Sequence, residues 1–169
     1  MMKKKATTSS ILSLVLIAFC MISMAALNKE VNIENFGIPL TVSVPDGAEV
    51  KKGMMGGETD GVKLYNVEIK KGNFILDISM LDEEPDESLA ETVASYKEIA
   101  AEDEDFSGFV TEEANGFIYE MTIDGDKSYG FDYILEKDNR QIEIAHGLSM
   151  EDFNMAEIKA MYAAAKSAH

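Results

Sequence analysis

His146, Ser149 and Asp152 are the residue types of a hydrolase relay, gathered in the stretch "HGLSMED". Such a relay needs an imidazole held between nucleophile and acid, and donors for an oxyanion. No Gly-x-Ser-x-Gly elbow surrounds Ser149. Ser149 with Asp152 three residues on instead has the spacing of a helix cap, so the sequence predicts a cap and not a catalyst. His146 alternates with Ile142 and Ile144, which places it on an apolar strand face near the strand's end, with ligand contact as its alternative role. His169, the only other histidine, ends the chain and is expected to fray.

"DGDKSYG" from Asp124 has the acids of a calcium loop, but the glycine and glutamate that such a loop needs sixth and twelfth are replaced by Tyr129 and Leu135. It reads as a hairpin turn. "DEEPDES" and "EDED" read as solvated acidic loops beside a helix. Every acid that can be placed falls on a polar face, a turn or a cap, where near-normal ionisation is expected. Two histidines and a single cysteine, Cys20, give no usual transition-metal ligation, so no cofactor or metal is expected. "GMMGG" is different. Met54 and Met55 are adaptable apolar groups on a glycine tether, suited to touching a ligand or partner, the alternative being that one of them tucks into the core. The candidate contact residues are therefore Met54, Met55 and His146.

Where such contacts would be made depends on the opening segment, "MMKKKATTSSILSLVLIAFCMISMAALNKE". Lys3–Lys5, a short apolar run and the small residues Ser23, Ala25 and Ala26 follow the order of a secretory signal peptide, with cleavage expected after Ala25. Residues 11–27 would span roughly 25 Å as a helix, short of a hydrocarbon core of ~30 Å, so anchoring by them is the weaker alternative. Lipidation at Cys20 is a second alternative, disfavoured by the bulky Phe19 before it. Loss of residues 1–25 removes three lysines and takes the net charge from −16 to −19, leaving residues 26–169 as one cysteine-free domain held by packing alone. That acidity excludes a nucleic-acid partner, whose phosphates demand basic patches, and no membrane span is expected in the mature chain. Periplasmic or secreted is the expected location.

The elements that would position these residues read as follows. "IPLTVSVPDG" is an early strand with Leu40, Val42 and Val44 inward, and "KKGMMGGETDG" is a mobile loop. "GVKLYNVEI" and "FILDISML" form a hairpin. After Pro85, Ser88 with Glu91 caps a helix whose apolar stripe is Leu89, Val93, Tyr96, Ile99 and Ala100. "FSGFVTEEA" and "FIYEMTID" meet at Asn115-Gly116, and "SYGFDYILEK" and "QIEIAHG" complete a meander. A last helix, capped by Ser149, buries Met150, Phe153, Ile158, Met161, Tyr162 and Ala165. Phe117, Tyr119, Phe131, Tyr133 and Ile144 are expected to lie between sheet and helix. The fold class is thus α+β, a mainly antiparallel sheet flanked by helices in the order β-β-β-α-β-β-β-β-α, with a possible extra strand near "EVNIEN".

The exported start, the early strand closing in "VPDG", the hairpin, the single crossover helix, the meander and the terminal helix resemble the PsbP-like fold over residues 36–166. The resemblance implies an exported accessory or binding protein for a protein or small ligand of the cell envelope, and it transfers no metal or partner residue. The competing expectations are an enzyme, hydrolase-like, with dispersed site residues, and an acidic cation-binding envelope protein.

Overall fold

The computed structural model describes residues 29–149 and 152–169. The segment read as a signal peptide, with Cys20, and Met150, expected on the buried side of the last helix, lie outside them. The chain builds an eight-stranded antiparallel sheet from β3 (Glu49–Lys52), β4 (Gly57–Thr59), β5 (Val62–Lys71), β6 (Phe74–Leu81), β7 (Phe106–Glu113), β8 (Gly116–Ile123), β9 (Asp126–Lys137) and β10 (Arg140–His146). Its order is β3-β5-β6-β10-β9-β8-β7, with β4 following β3 along the edge of β5. A separate two-stranded sheet joins β1 (Lys29–Asn32), the extra strand, to β2 (Thr41–Val44). Helices α1 (Leu89–Ala101) and α2 (Met155–Lys166) follow β6 and β10. The fold class is the one read from the sequence, α+β with an antiparallel sheet.

Tight turns make the sequential long strands pair antiparallel. Asp124 and Gly125, and again Asp138 and Asn139, have positive φ, the pair of left-handed residues that matches strand twist in two-residue hairpins. At Asn115-Gly116 the hairpin forms by another route. The turn sits at Ala114-Asn115, and Gly116 already pairs with Tyr133, where a Cβ would overlap the Asp132 carbonyl.

Each sheet face has its own core, because the long strands carry apolar residues on both sides. One face presents Val67, Ile78, Ile144 and Tyr133 in a single cross-strand row, and it is covered by α2 and the β1–β2 hairpin with buried Leu40, Val42 and Val44. The other packs Val93 of α1 against Phe117 and Ile134, flanked by Leu89, Tyr96, Ala100, Phe109 and Tyr119. The five residues expected between sheet and helix are therefore divided: Phe131, Tyr133 and Ile144 belong to the α2 side, Phe117 and Tyr119 to the α1 side. Ile99, expected in the buried stripe, is 65% exposed.

The helix starts follow local hydrogen-bonding chemistry. Ser88 Oγ accepts from the Glu91 amide while the Glu91 carboxylate accepts from the Ser88 amide, the predicted capping box. At α2 the prediction fails. Asn154, not Ser149, is the cap, accepting from the amides of Ala156 and Glu157, and Glu157 closes the box on Asn154. Phe153 is buried just ahead of the helix. Asn and Ser rank alike as caps, but of these two only Asn154 has a glutamate three residues later to complete the pair. Nor does His169 fray: its amide donates to the Thr41 carbonyl at 3.1 Å and its carbonyl accepts from Thr41 at 3.0 Å, extending the small sheet.

Candidate functional site

Helix α1 packs mainly over β9, β8 and β7 on its sheet face. The remainder, over β5, β6 and β10, is laid out in cross-strand rows. Leu64 faces Leu81. In the next row Asn66, Ser79, Glu143 and Ile134 stand side by side on four strands. The row beyond runs Lys51, Glu68, Asp77, Ala145, Asp132 and Phe117. Four carboxylates thus share one half-buried floor, with the small Ala145 between Asp77 and Asp132.

Burial and mutual repulsion shape their ionisation. Asp132 is pushed up to about 7, by desolvation first and then by the Glu143 carboxylate. Burial likewise raises Glu143, against hydrogen bonds from Tyr96 and Ser79 that favour its charged form. It raises Asp77 against a hydrogen bond from Asn66, with Glu68 adding repulsion. The expectation of near-normal acids is corrected here, because mid-strand positions on a half-covered sheet face take these three partly out of water. Glu68 is paired with Lys51 at 2.9 Å.

A cleft of about 450 Å³ opens where α1 leaves this floor. Its base is Ser79, Gln141 and Glu143, and its sides include Leu64, Leu81, Ile134 and Tyr96. The Glu83–Glu87 loop makes one wall and Met55 stands on the opposite rim. Tyr96 Oη donates to Glu143 Oε2 at 2.7 Å and Ser79 Oγ to the same oxygen at 3.4 Å, so Oε1 accepts from neither. Thr92 Oγ1 donates to Gln141 at 2.8 Å, and Gln141 Nε2 donates to the Glu87 carbonyl at 3.0 Å, tying α1 and its leading loop to β10.

The segment "KKGMMGGETDG" is more ordered than a mobile loop. Lys51 and Lys52 lie in β3 and residues 57–59 in β4, which leaves 53–56 as the connection. Buried Asn66 holds that connection: its carbonyl accepts from Gly53, its Oδ1 accepts from the Met55 amide at 3.3 Å, and its Nδ2 donates to Asp77. Gly53 is required because a Cβ there would overlap the Asn66 amide. Neither methionine tucks into the core, for Met54 is 86% and Met55 72% exposed.

His146 lies away from the cleft, among the rings of Phe131, Phe153 and Tyr119, with Nδ1 at 3.4 Å from both the amide and the carbonyl of Phe131. Burial lowers its proton affinity. The structure brings Met55 to the cleft and leaves His146 apart from it. It adds Glu143, Ser79 and Tyr96, which sequence reasoning missed. One signal was available: Asp77, Asp132 and Glu143 each sit between two apolar residues in the middle of a long strand. Among the described residues no three histidine, cysteine, aspartate or glutamate side chains converge to hold a metal ion, and no helix is long and apolar enough to cross a membrane. Compared with protein-family models, with characterised proteins and with solved structures, the chain matches none.

Proposed function

We propose that this chain is an exported, non-catalytic binding protein of PsbP-like arrangement, acting outside the cytoplasm and taking its ligand in the α1 cleft. The observation that carries the reading is the cleft itself, of a size that suits small-molecule sites, with apolar sides around a few fixed polar groups. The exposed methionines at its rim add an adaptable contact surface. The test compares the exported protein with two variants, all immobilised and challenged with native envelope extract. Leu81→Trp fills the cleft from a partly exposed position, and Met54→Ser with Met55→Ser strips the rim. A ligand retained by the parent and lost from both variants, at nearly unchanged thermal midpoints, is expected. Equal retention by all three, or a turnover abolished by His146→Ala, overturns the reading.

A carboxylate-based enzyme is the second reading. The raised Glu143 beside Tyr96 on the cleft floor favours it, since acid–base catalysis uses carboxyls displaced in this direction. A turnover that disappears in Glu143→Gln would establish it.

A further inference from the structure

We propose that the α1 cleft selects a cationic group carried on an apolar body, an alkylammonium or guanidinium, with the cation on Glu143 and the body between Leu64, Leu81 and Ile134. This deepens the binding reading and rests on it. The cleft is lined by five carboxylates, Glu83, Glu84, Asp86, Glu87 and Glu143, and by no lysine, arginine or histidine. None of the five belongs to an ion pair among the described residues, where Lys51, Lys97, Lys127, Arg140 and Lys166 are all engaged with other acids. The overall acidity of the chain accounts for the loop acids on the rim. It does not account for Glu143, which sits on the floor of a half-covered sheet with both of its internal donors on Oε2.

The selection follows from desolvation. A half-buried carboxylate is poorly hydrated, so a ligand cation that reaches Oε1 replaces water that is already scarce, and a charge-assisted hydrogen bond forms there. A neutral ligand gains only the apolar contact. An anion meets five negative charges. Leu64 and Leu81 pair with each other in the row next to Ser79 and Glu143, and Met55 lines the same cleft, which gives the body of the ligand an apolar place beside the charge.

The experiment is calorimetric titration of the purified exported protein at low ionic strength with octylammonium, octanol and octanoate. A capped Leu-Lys-Leu tripeptide and its Leu-Gln-Leu counterpart form a second arm, which separates a free amine from a basic side chain as the source. Octylammonium should saturate one site, octanol should bind at least tenfold more weakly and octanoate not measurably. Glu143→Gln should weaken octylammonium by roughly tenfold or more, in line with a lost hydrogen bond to a charged group. Glu83→Gln with Glu84→Gln, on exposed positions, should weaken it by less, and Leu81→Trp should abolish it. Glu104→Gln, far from the cleft, should change nothing. If octanol matches octylammonium and Leu81→Trp blocks both, cation selection is overturned while the cleft remains a binding site. If Glu104→Gln weakens binding as much as Glu143→Gln, only the overall charge is felt and the proposal fails. If no probe in either arm gives a saturable heat it also fails, and the capture experiment then decides the binding reading by itself.

Discussion

Asp132 concentrates the electrostatic cost of this fold in one side chain. It stands in β9 with Phe117 on one side and Ala145 on the other, and the carboxylates of Asp77 and Glu143 occupy the neighbouring positions. Tyr96 of α1 and Tyr119 of β8 are both raised, by burial first, with Asp132 adding a smaller contribution to each. Lys51, at the far end of the row, is engaged with Glu68. With an ordinary value of 3.8 and a folded value of about 7, Asp132 holds its proton more tightly in the native state than in the unfolded chain. Its contribution is therefore fully present below about pH 4 and is lost as pH rises through about 7. The displacement is worth at most ~4 kcal/mol, and solvent reaching the half-covered floor reduces it. Asp132→Asn keeps the shape and abolishes the titration. Denaturant unfolding of both proteins from pH 4 to 8 should show near-equal stability at pH 4 and a variant more stable by a few kcal/mol at pH 8. Titrating groups that do not feel Asp132, His146 among them, contribute to both curves and cancel in the difference, whereas Glu143, which repels Asp132, adds to the difference in the same direction. A difference that stays flat with pH would show that Asp132 is solvated and ionised in the native state.

At the scale of elements, the small β1–β2 sheet depends on the chain's end. Thr41 exchanges both backbone bonds with His169, and the Ser43 amide donates to Ser167 Oγ at 2.9 Å, so the last residues act as a third strand beside β2. β2 carries Val42 and Val44 into the α2-side core, which makes this seam structural. Removing residues 167–169 should cost roughly 2–3 kcal/mol, at about 1 kcal/mol for each of three bonds, and should raise hydrogen exchange at Thr41 and Ser43 selectively. Exchange unchanged at those amides would mean that β1 and α2 hold β2 without help. Seven strands and both helices were legible in the sequence because alternation and helical spacing mark any element that buries a face. What was not legible has a common cause. β3 and β4 are polar edge strands defined only by pairing with β5, and the cap at Asn154 competes locally with an equally plausible serine. His169 is ordered by a partner 128 residues earlier. The same holds for the site. Glu143, Ser79 and Tyr96 come from three elements whose neighbourhood is set by strand order, and strand order leaves no local mark in a sequence.

Over the whole molecule, 31 acids against 15 bases leave a net charge of −16, which export would take to −19. If residues 1–25 are removed on export, intact-mass measurement of the exported protein should give a chain beginning within a few residues of Ala26; a full-length mass, or a lipid-bearing start at Cys20, would overturn that. The charge excess also predicts how stability responds to ions. Like charges spread over a compact body repel, and salt screens that repulsion over about 10 Å at 0.1 M. Raising NaCl from about 0.01 to 0.3 M should therefore raise the thermal midpoint by several degrees, since each kcal/mol moves it by ~2–4 °C in a chain of this size. Calcium separates screening from a dedicated site. The acids of the 82–87 loop, of the 102–105 turn and of the β-hairpins belong to separate segments, and among the described residues no three of them come close enough together to hold a metal ion. At matched ionic strength calcium should then give little shift beyond sodium, and its titration should show weak heats with no saturation. A saturable calcium isotherm accompanied by an extra rise in midpoint would instead favour the acidic cation-binding reading, because a ligand that binds only the native state stabilises it in proportion to its concentration over Kd.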